Sequence, residues 1–309
     1  MTKFLLDSGD PDEYKQICSL AQKNNSEIWG ATTNPSLIAK KLAGQKISSQ
    51  KAFELQKQIV LEILNIVPGA VSAEVYADEN TKAQDMVKQG LEIAKWHERI
   101  VVKLPTNLEG FKARTELRKA KIITNNTLVF SQEQIFAICL HERIIQKTFG
   151  PIDDLWPSFI SPFVGRLDDI GLDGMTLITN AMKMKEKYGF NLWMLEASVR
   201  TLDHLRLGIE AKTELITAPG KVYAEWFSKS TNQQINKSTN QQMLKPIKYW
   251  EHPQELINIE TIEGFMKAIE SGKLNIKHEL TDKGLVRFAS DWKAIIQEEH
   301  KPLVTNLNI

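Results

Sequence analysis

Eight short apolar runs, separated by stretches with helical periodicity, occupy about the first 220 residues of the chain. This alternation limits the accessible folds more than any other feature. The runs are Phe4–Asp7, Ile28–Pro35, which ends in a polar turn, Val71–Tyr76, Arg99–Pro105, which stops at the proline, Lys121–Thr127, a segment within Trp156–Val164 that ends at Ser161, Leu192–Leu195 and Leu215–Thr217. Between them the apolar residues recur at helical spacing, as in Ala52, Leu55, Ile59, Ile63 and Ile66, or Ala83, Met86, Val87, Leu91 and Ala94. Strands alternating with helices and lacking hairpin signals form parallel sheets, because a parallel pair needs a long crossover. Eight such units suit a closed (β/α)8 TIM barrel, whose active sites lie at the C-terminal strand ends. An open doubly wound sheet is the other architecture. It usually carries a Gly-rich first turn, and here no G-x-G-x-x-G follows the first strand and no Walker loop is present.

The remainder of the chain reads differently. Lys229–Gln234 recurs as Lys237–Gln242, a polar hexapeptide repeat that cannot build a core. Residues 228–247 therefore read as an exposed insertion between a 1–227 catalytic barrel and two C-terminal helices, about Ile259–Ser271 and Asp282–Glu299, within 248–309. The additional helices are expected to pack on the barrel, with Phe288 and Trp292, four apart, covering an apolar surface.

Polar residues are concentrated at strand ends. Asp7, Asn34, Glu74, Lys103, Asn125, Thr127, Ser161, Ser198 and Arg200 all fall near or just beyond such an end, and a barrel brings those ends to one mouth. Each has a plain alternative: Asp7 as a helix cap, Asn34 in the turn before Pro35, Thr127 as an ordinary strand residue. Lys103 follows Ile100-Val101-Val102 and precedes Leu104-Pro105. It either snorkels to solvent or is buried, and burial of a lysine favours the free amine that a carbonyl needs to form a Schiff base.

The bulk properties exclude other classes. With 39 basic and 38 acidic residues the net charge is +1, so no global field favours nucleic acid or a membrane surface. No apolar run approaches the length of a spanning helix, and the N-terminus lacks a signal-peptide core. Cys18 and Cys139 lie in helix-like patterns, which fits a reducing cytoplasm rather than a disulfide framework. The six histidines show no ligand spacing, and Asp168–Gly174 departs from the calcium-loop pattern, so neither a metal nor a cofactor is expected. Lys183–Lys187 reads as a solvated helix face.

Five segments, in order, resemble the transaldolase family: Ala31–Ile38; Val101–Pro105 with Glu109-Gly110; Thr124–Ser131; Ser161–Arg166; and Ala197–Arg200. The resemblance covers about residues 3 to 225 and resumes weakly between Leu280 and Trp292. It implies a metal-free class I aldol mechanism acting on sugar phosphates. The Schiff-base lysine corresponds to Lys103, the acid–base at the reacting hydroxyl to Asp7, and a water-bridged proton relay to Glu74 with Thr127. The dihydroxyacetone unit would lie against Asn34, Asn125 and Ser161, and the phosphate against Arg166, Arg200 and Ser198. Thr32 and Phe163 fall within the same motifs and join the substrate-contacting set. For Arg166 the alternative is an ion pair with Asp168 or Asp169.

The related fructose 6-phosphate aldolases carry an amide at the position of Glu74 and a tyrosine at that of Phe163, so the choices here are those of transaldolases. Two readings stay open beside transaldolase activity: simple aldolase cleavage and a non-catalytic sugar-phosphate-binding barrel. The departures from the family pattern are the 228–247 insertion, Asn126 at a usually apolar position, and Glu196, which is expected to set a carboxylate beside the phosphate. Association with further copies of the chain is left open by the sequence.

Overall fold

The computed structural model describes residues 1–150, 155–228 and 244–297. Eight parallel strands close into a barrel: β1 Lys3–Asp7, β2 Ile28–Thr32, β3 Val71–Glu74, β4 Ile100–Pro105, β5 Thr124–Val129, β6 Phe159–Pro162, β7 Trp193–Glu196 and β8 Leu215–Ala218. Each strand pairs with the next, and β8 closes on β1 with Leu215 opposite Lys3. This is the (β/α)8 arrangement expected from the alternation. The repeat-bearing part of the insertion, 229–242, lies outside the described residues.

Local chemistry sets many of the boundaries. Asp10 accepts from the amide of Asp12 and starts the helix Pro11–Lys23, whose first residue needs no amide donor. Ser131 and Gln134 form a reciprocal capping box at the head of Gln132–Phe149. Gly189 ends Gly174–Tyr188 at φ 62, a left-handed conformation that glycine adopts without a Cβ penalty. Four short helices escape the sequence reading: Pro35–Lys41, Val164–Asp168, Gly220–Ser228 and Gln254–Ile257. None is long enough to establish an apolar period over several turns. Leu172–Asp173 also pairs with Lys245–Pro246 in a small sheet outside the barrel, a contact between segments far apart in sequence.

The fifth strand begins later and runs further than the apolar run Lys121–Thr127 suggests. Lys121 takes φ 61 and turns the chain, and the strand continues to Val129. Its pairing with β6 shifts register between Asn126 and Val129, and Leu128 stands at φ 58 within that bulge. A leucine in the left-handed region is strained, and such strain persists only where neighbours fix it. Here the Thr106 hydroxyl donates to the Thr127 carbonyl and the Thr281 hydroxyl donates to that of Leu128. The second bond ties the C-terminal helix Glu279–Lys293 to the barrel mouth. Phe288 and Trp292 of that helix are buried, as their spacing implied. The C-terminal helices themselves are shorter than expected at Ile262–Glu270, while the last begins earlier, with His278 as its cap.

Candidate active site

Register places the candidate catalytic groups side by side. Glu74 of β3 is opposite Lys103 of β4, and Lys103 is opposite Asn125 of β5. Neighbours in a parallel sheet face the same way, so the three side chains share one level of the barrel interior. Lys103 is buried there. Its Nζ lies 3.1 Å from Glu74 Oε2 and 3.2 Å from the Thr33 carbonyl, to which it donates. One level up, the Ser161 hydroxyl donates to Asn125 Oδ1 at 2.7 Å, while Asn125 Nδ2 donates to Ser72 Oγ at 3.1 Å. Asn125 is thus locked in orientation from both sides.

The acids are unlike surface carboxylates. Burial pushes the Glu74 carboxyl above its usual range, and the adjacent Lys103 charge only partly offsets this. Burial also raises the Asp7 carboxyl, against the opposing pull of Lys103 and a 2.7 Å hydrogen bond from the Thr32 hydroxyl. Thr32 Oγ1 is also 2.6 Å from Thr217 Oγ1, so a hydroxyl chain from β8 through β2 orients Asp7 on β1. The Thr127 hydroxyl is buried and has no hydrogen-bond partner among the described residues.

Above this floor opens a cleft of about 230 Å³. Asp7, Thr32, Asn34, Lys103, Ser161, Phe163, Arg166, Ser198 and Arg200 all line it. Glu74, Asn125 and Thr127 are not on its wall, and of these Glu74 and Asn125 touch the lining residues Lys103 and Ser161 from behind. Asn34 divides its functions: its Oδ1 caps the helix Pro35–Lys41 by accepting from Leu37, which leaves the amide Nδ2 for a ligand.

Arg166 makes no ion pair with Asp168 or Asp169. Its guanidinium lies 5.3 Å from the ring centre of Phe163 and 5.5 Å from that of Phe288. Burial, then the charges of Arg287 and Arg200, lower its pKa from the usual arginine value. The two aspartates serve other groups. Asp169 pairs bidentately with Arg200, and Asp168 accepts from His204 Nε2 at 2.8 Å and from the amide of Gly174. His204 Nδ1 in turn accepts from the Arg200 amide at 3.2 Å, which holds the loop carrying Ser198, itself at φ 58.

One expectation is overturned. Glu196 does not place a charge beside the arginines of the cleft. It is fully buried, and its carboxylate packs against Gly208 of the helix Leu202–Glu210, where an added Cβ would come within 1.9 Å of Oε2. The cleft wall is formed by the next residues, Ala197 and Ser198. Both carboxylate oxygens lack hydrogen-bond partners among the described residues, and burial, with a smaller contribution from Asp168, raises the pKa well above the usual value. Such a group prefers its proton in the folded chain. Its contribution to stability is fully present below the unfolded carboxyl pKa and is lost as pH rises through the folded value. Glu196→Gln removes this dependence. The stability of the variant relative to the parent chain should therefore rise with pH above about 4.5, measured by urea unfolding across a pH series. A pH-independent difference between the two would contradict the assignment.

Sequence reasoning missed Ser36, Leu37, Thr217, Arg287 and Phe288 as cleft residues. Thr217 ends a recognised strand, so the strand-end rule that selected Asp7 would have found it. Arg287 carries no such signal, because nothing in a helical pattern tells which face meets a barrel mouth.

The profile of the family described as Transaldolase/Fructose-6-phosphate aldolase matches residues 4–299. A probable transaldolase 2 of Listeria monocytogenes is 33% identical over 297 residues, covering 96% of this chain and 99% of that protein. A probable transaldolase of Lactiplantibacillus plantarum is 32% identical, covering 94% and 97%. One of Prosthecochloris aestuarii is 36% identical over 217 residues, covering 70% and 86%. With its closed barrel and these relatives, the chain belongs to the transaldolase/fructose-6-phosphate aldolase family.

Proposed function

We propose that the chain is a transaldolase. It would transfer a dihydroxyacetone unit from fructose 6-phosphate or sedoheptulose 7-phosphate to erythrose 4-phosphate or glyceraldehyde 3-phosphate, through an imine on Lys103. The observation that carries this reading is the buried Lys103–Glu74 pair at 3.1 Å, set beneath a cleft that also holds Asp7. A carboxyl whose pKa is raised by burial can hold the proton that an ammonium must lose before it attacks a carbonyl.

The amine adds to the ketose carbonyl, and loss of water gives the imine. Glu74, with the unpartnered Thr127 hydroxyl, exchanges the protons of that step. Asp7, oriented by Thr32, takes the proton of the hydroxyl on the far carbon of the bond to be broken, the carbon that becomes the aldehyde. The carbon–carbon bond then cleaves, and its electron pair is delocalised into the protonated imine as an enamine. The aldose phosphate leaves. The enamine attacks the acceptor aldehyde, Asp7 returns its proton to the new hydroxyl, and hydrolysis frees Lys103. Asn34, Asn125 and Ser161 hold the three-carbon unit, while Arg166, Arg200 and Ser198 receive the phosphate. Phe163 adds no hydroxyl to the cleft, which favours transfer of the unit over its release by protonation. The proposal extends to one domain formed by 1–227 and 248–309, in a reducing cytoplasm consistent with the free thiols of Cys18 and Cys139. No helix among the described residues is long and apolar enough to cross a membrane.

Incubation with fructose 6-phosphate and sodium borohydride, followed by peptide mass spectrometry, tests the reading. A reduced three-carbon adduct on the peptide containing Lys103 is expected. Adding erythrose 4-phosphate before the borohydride should discharge it and yield sedoheptulose 7-phosphate. Slow discharge with free dihydroxyacetone would favour aldolase chemistry. A folded protein that binds sugar phosphates without any adduct would refute catalysis through Lys103.

A further inference from the structure

The C-terminal helix Glu279–Lys293 presents Gly284, Arg287, Phe288 and Asp291 at helical spacing toward the cleft mouth. Each does something different there. A Cβ on Gly284 would meet Arg166 Nη1 at 2.9 Å and Leu128 Cδ2 at 2.5 Å, so the missing side chain is what lets the Arg166 guanidinium rest against the helix. Phe288 supplies an aromatic face to the same guanidinium. Asp291 accepts from the Ser36 hydroxyl across the mouth. Arg287 lines the cleft with a side chain that is 68% exposed, and its only ion pair among the described residues is a long one, 3.8 Å to Asp291.

The helix is held at both ends. Thr281 bonds the strained carbonyl of Leu128, and the segment after the helix pairs with Ile47, whose amide donates to Ile295 and whose carbonyl accepts from Gln297. Lys293 reaches Asp78 at 3.0 Å. Arg287 is therefore carried on a fixed wall rather than on a loop.

The charges in this corner do not balance. Among the described residues Arg200 has Asp169, but Arg166 has no carboxylate within ion-pair distance and Arg287 has only Asp291 at 3.8 Å, which already serves Ser36. Three guanidinia facing one small cleft, one of them unpaired and one only loosely paired, repel one another more than the nearby carboxylates offset, and an anion would join them. We infer that Arg287 is a specificity-determining residue: it completes, from the C-terminal helix, a three-arginine clamp for a dianionic phosphate monoester at the end of an open-chain sugar. The inference rests on the cleft being the sugar-phosphate site proposed above. It adds that the barrel's two arginines are insufficient without the helix.

D-glucitol 6-phosphate is a suitable probe, because it carries the phosphate and the open chain but no carbonyl and so binds without forming an imine. In calorimetric titration of the full chain, Arg287→Ala should weaken its binding about tenfold, as expected for loss of one charge-assisted contact in a partly exposed site. Arg287→Lys should retain most of the affinity, and the loss should shrink at high salt. Binding of unphosphorylated D-glucitol should be the same in parent and variant. In turnover, KM for glyceraldehyde 3-phosphate should rise with kcat held, and D-glyceraldehyde should be used equally well by both. Equal affinity of the parent and Arg287→Ala for D-glucitol 6-phosphate would overturn the inference, as would a fall in kcat with both acceptors. A parent chain that binds the probe through Arg287 yet traps no adduct would sink the transaldolase reading alone. One that does not bind the probe would sink both.

Discussion

Lys103→Ala is expected to abolish the borohydride adduct and to lower transfer by on the order of 10⁴-fold or more, the scale seen when an enzyme's covalent nucleophile is removed. Among the described residues no other lysine lines the cleft. Glu74, Asn125 and Ser161 surround the position with groups that cannot form an imine. The substitution also separates chemistry from folding. It leaves Glu74 without its cation, which in most buried pairs costs 3–5 kcal/mol. Here burial already raises the Glu74 carboxyl, so the acid can take up a proton and remain buried as a neutral group. Activity should therefore disappear while the thermal midpoint moves by only a few degrees. Residual transfer within about tenfold of the parent, in a variant shown by mass to lack the lysine, would place the reactive amine elsewhere.

The largest effect on stability is expected far from the cleft. Glu142→Ala should cost about 3–5 kcal/mol of unfolding free energy, because it strands the buried guanidinium of Arg114 and takes one partner from that of Arg118. Glu142 lies on Gln132–Phe149 and accepts from Arg114 and Arg118 of the preceding helix Leu108–Lys119, with Arg118 Nη2 at 2.7 Å from Oε1. All three are nearly inaccessible. Burial works against the charged carboxyl, but the two arginines outweigh it and hold its pKa at about 2. His141 completes the cluster, with Nδ1 at 2.9 Å from Arg114 Nη1 and Nε2 at 3.0 Å from the Thr115 hydroxyl. Burial, then the two positive neighbours, lower its pKa well below the usual imidazole value, so it stays neutral. Removing this carboxylate leaves the Arg114 charge uncompensated rather than a simple cavity. Urea unfolding of the variant measures the loss. A change below about 1 kcal/mol would mean that the arginines find other partners or reach water. Glu142→Gln, which keeps the shape and one acceptor, should fall between the two.

These sites differ in how they could be read. Lys103, Asp7 and Asn125 could be picked out because each ends or interrupts an apolar run, and a barrel gathers strand ends whatever the details of its loops. The same rule located Arg200, and the family resemblance Arg166, but neither told which acids would pair in that corner. Which aspartate pairs with which arginine depends on how the loop after β6 folds against the loop after β7, and the choice fell to Arg200–Asp169 and His204–Asp168. The Glu142 cluster was invisible, since i, i+4 arginines on a helix look the same whether they face water or a neighbouring helix.

The order of strands and helices, the parallel closed sheet and the convergence of polar strand ends followed from the sequence alone, because apolar period and strand–helix alternation are local properties that survive any arrangement of loops. Facing was decided only by tertiary structure. Glu196 was expected at the mouth because the resemblance sets its position beside the phosphate. The pleat turned it outward against Gly208, and its neighbours Ala197 and Ser198 took the cleft. Nothing in the sequence singles out Arg287; the docking of Glu279–Lys293 on the Leu128 bulge sets it near Arg166, more than a hundred residues away in sequence. Contacts of that range depend on how distant segments pack, which no local period records.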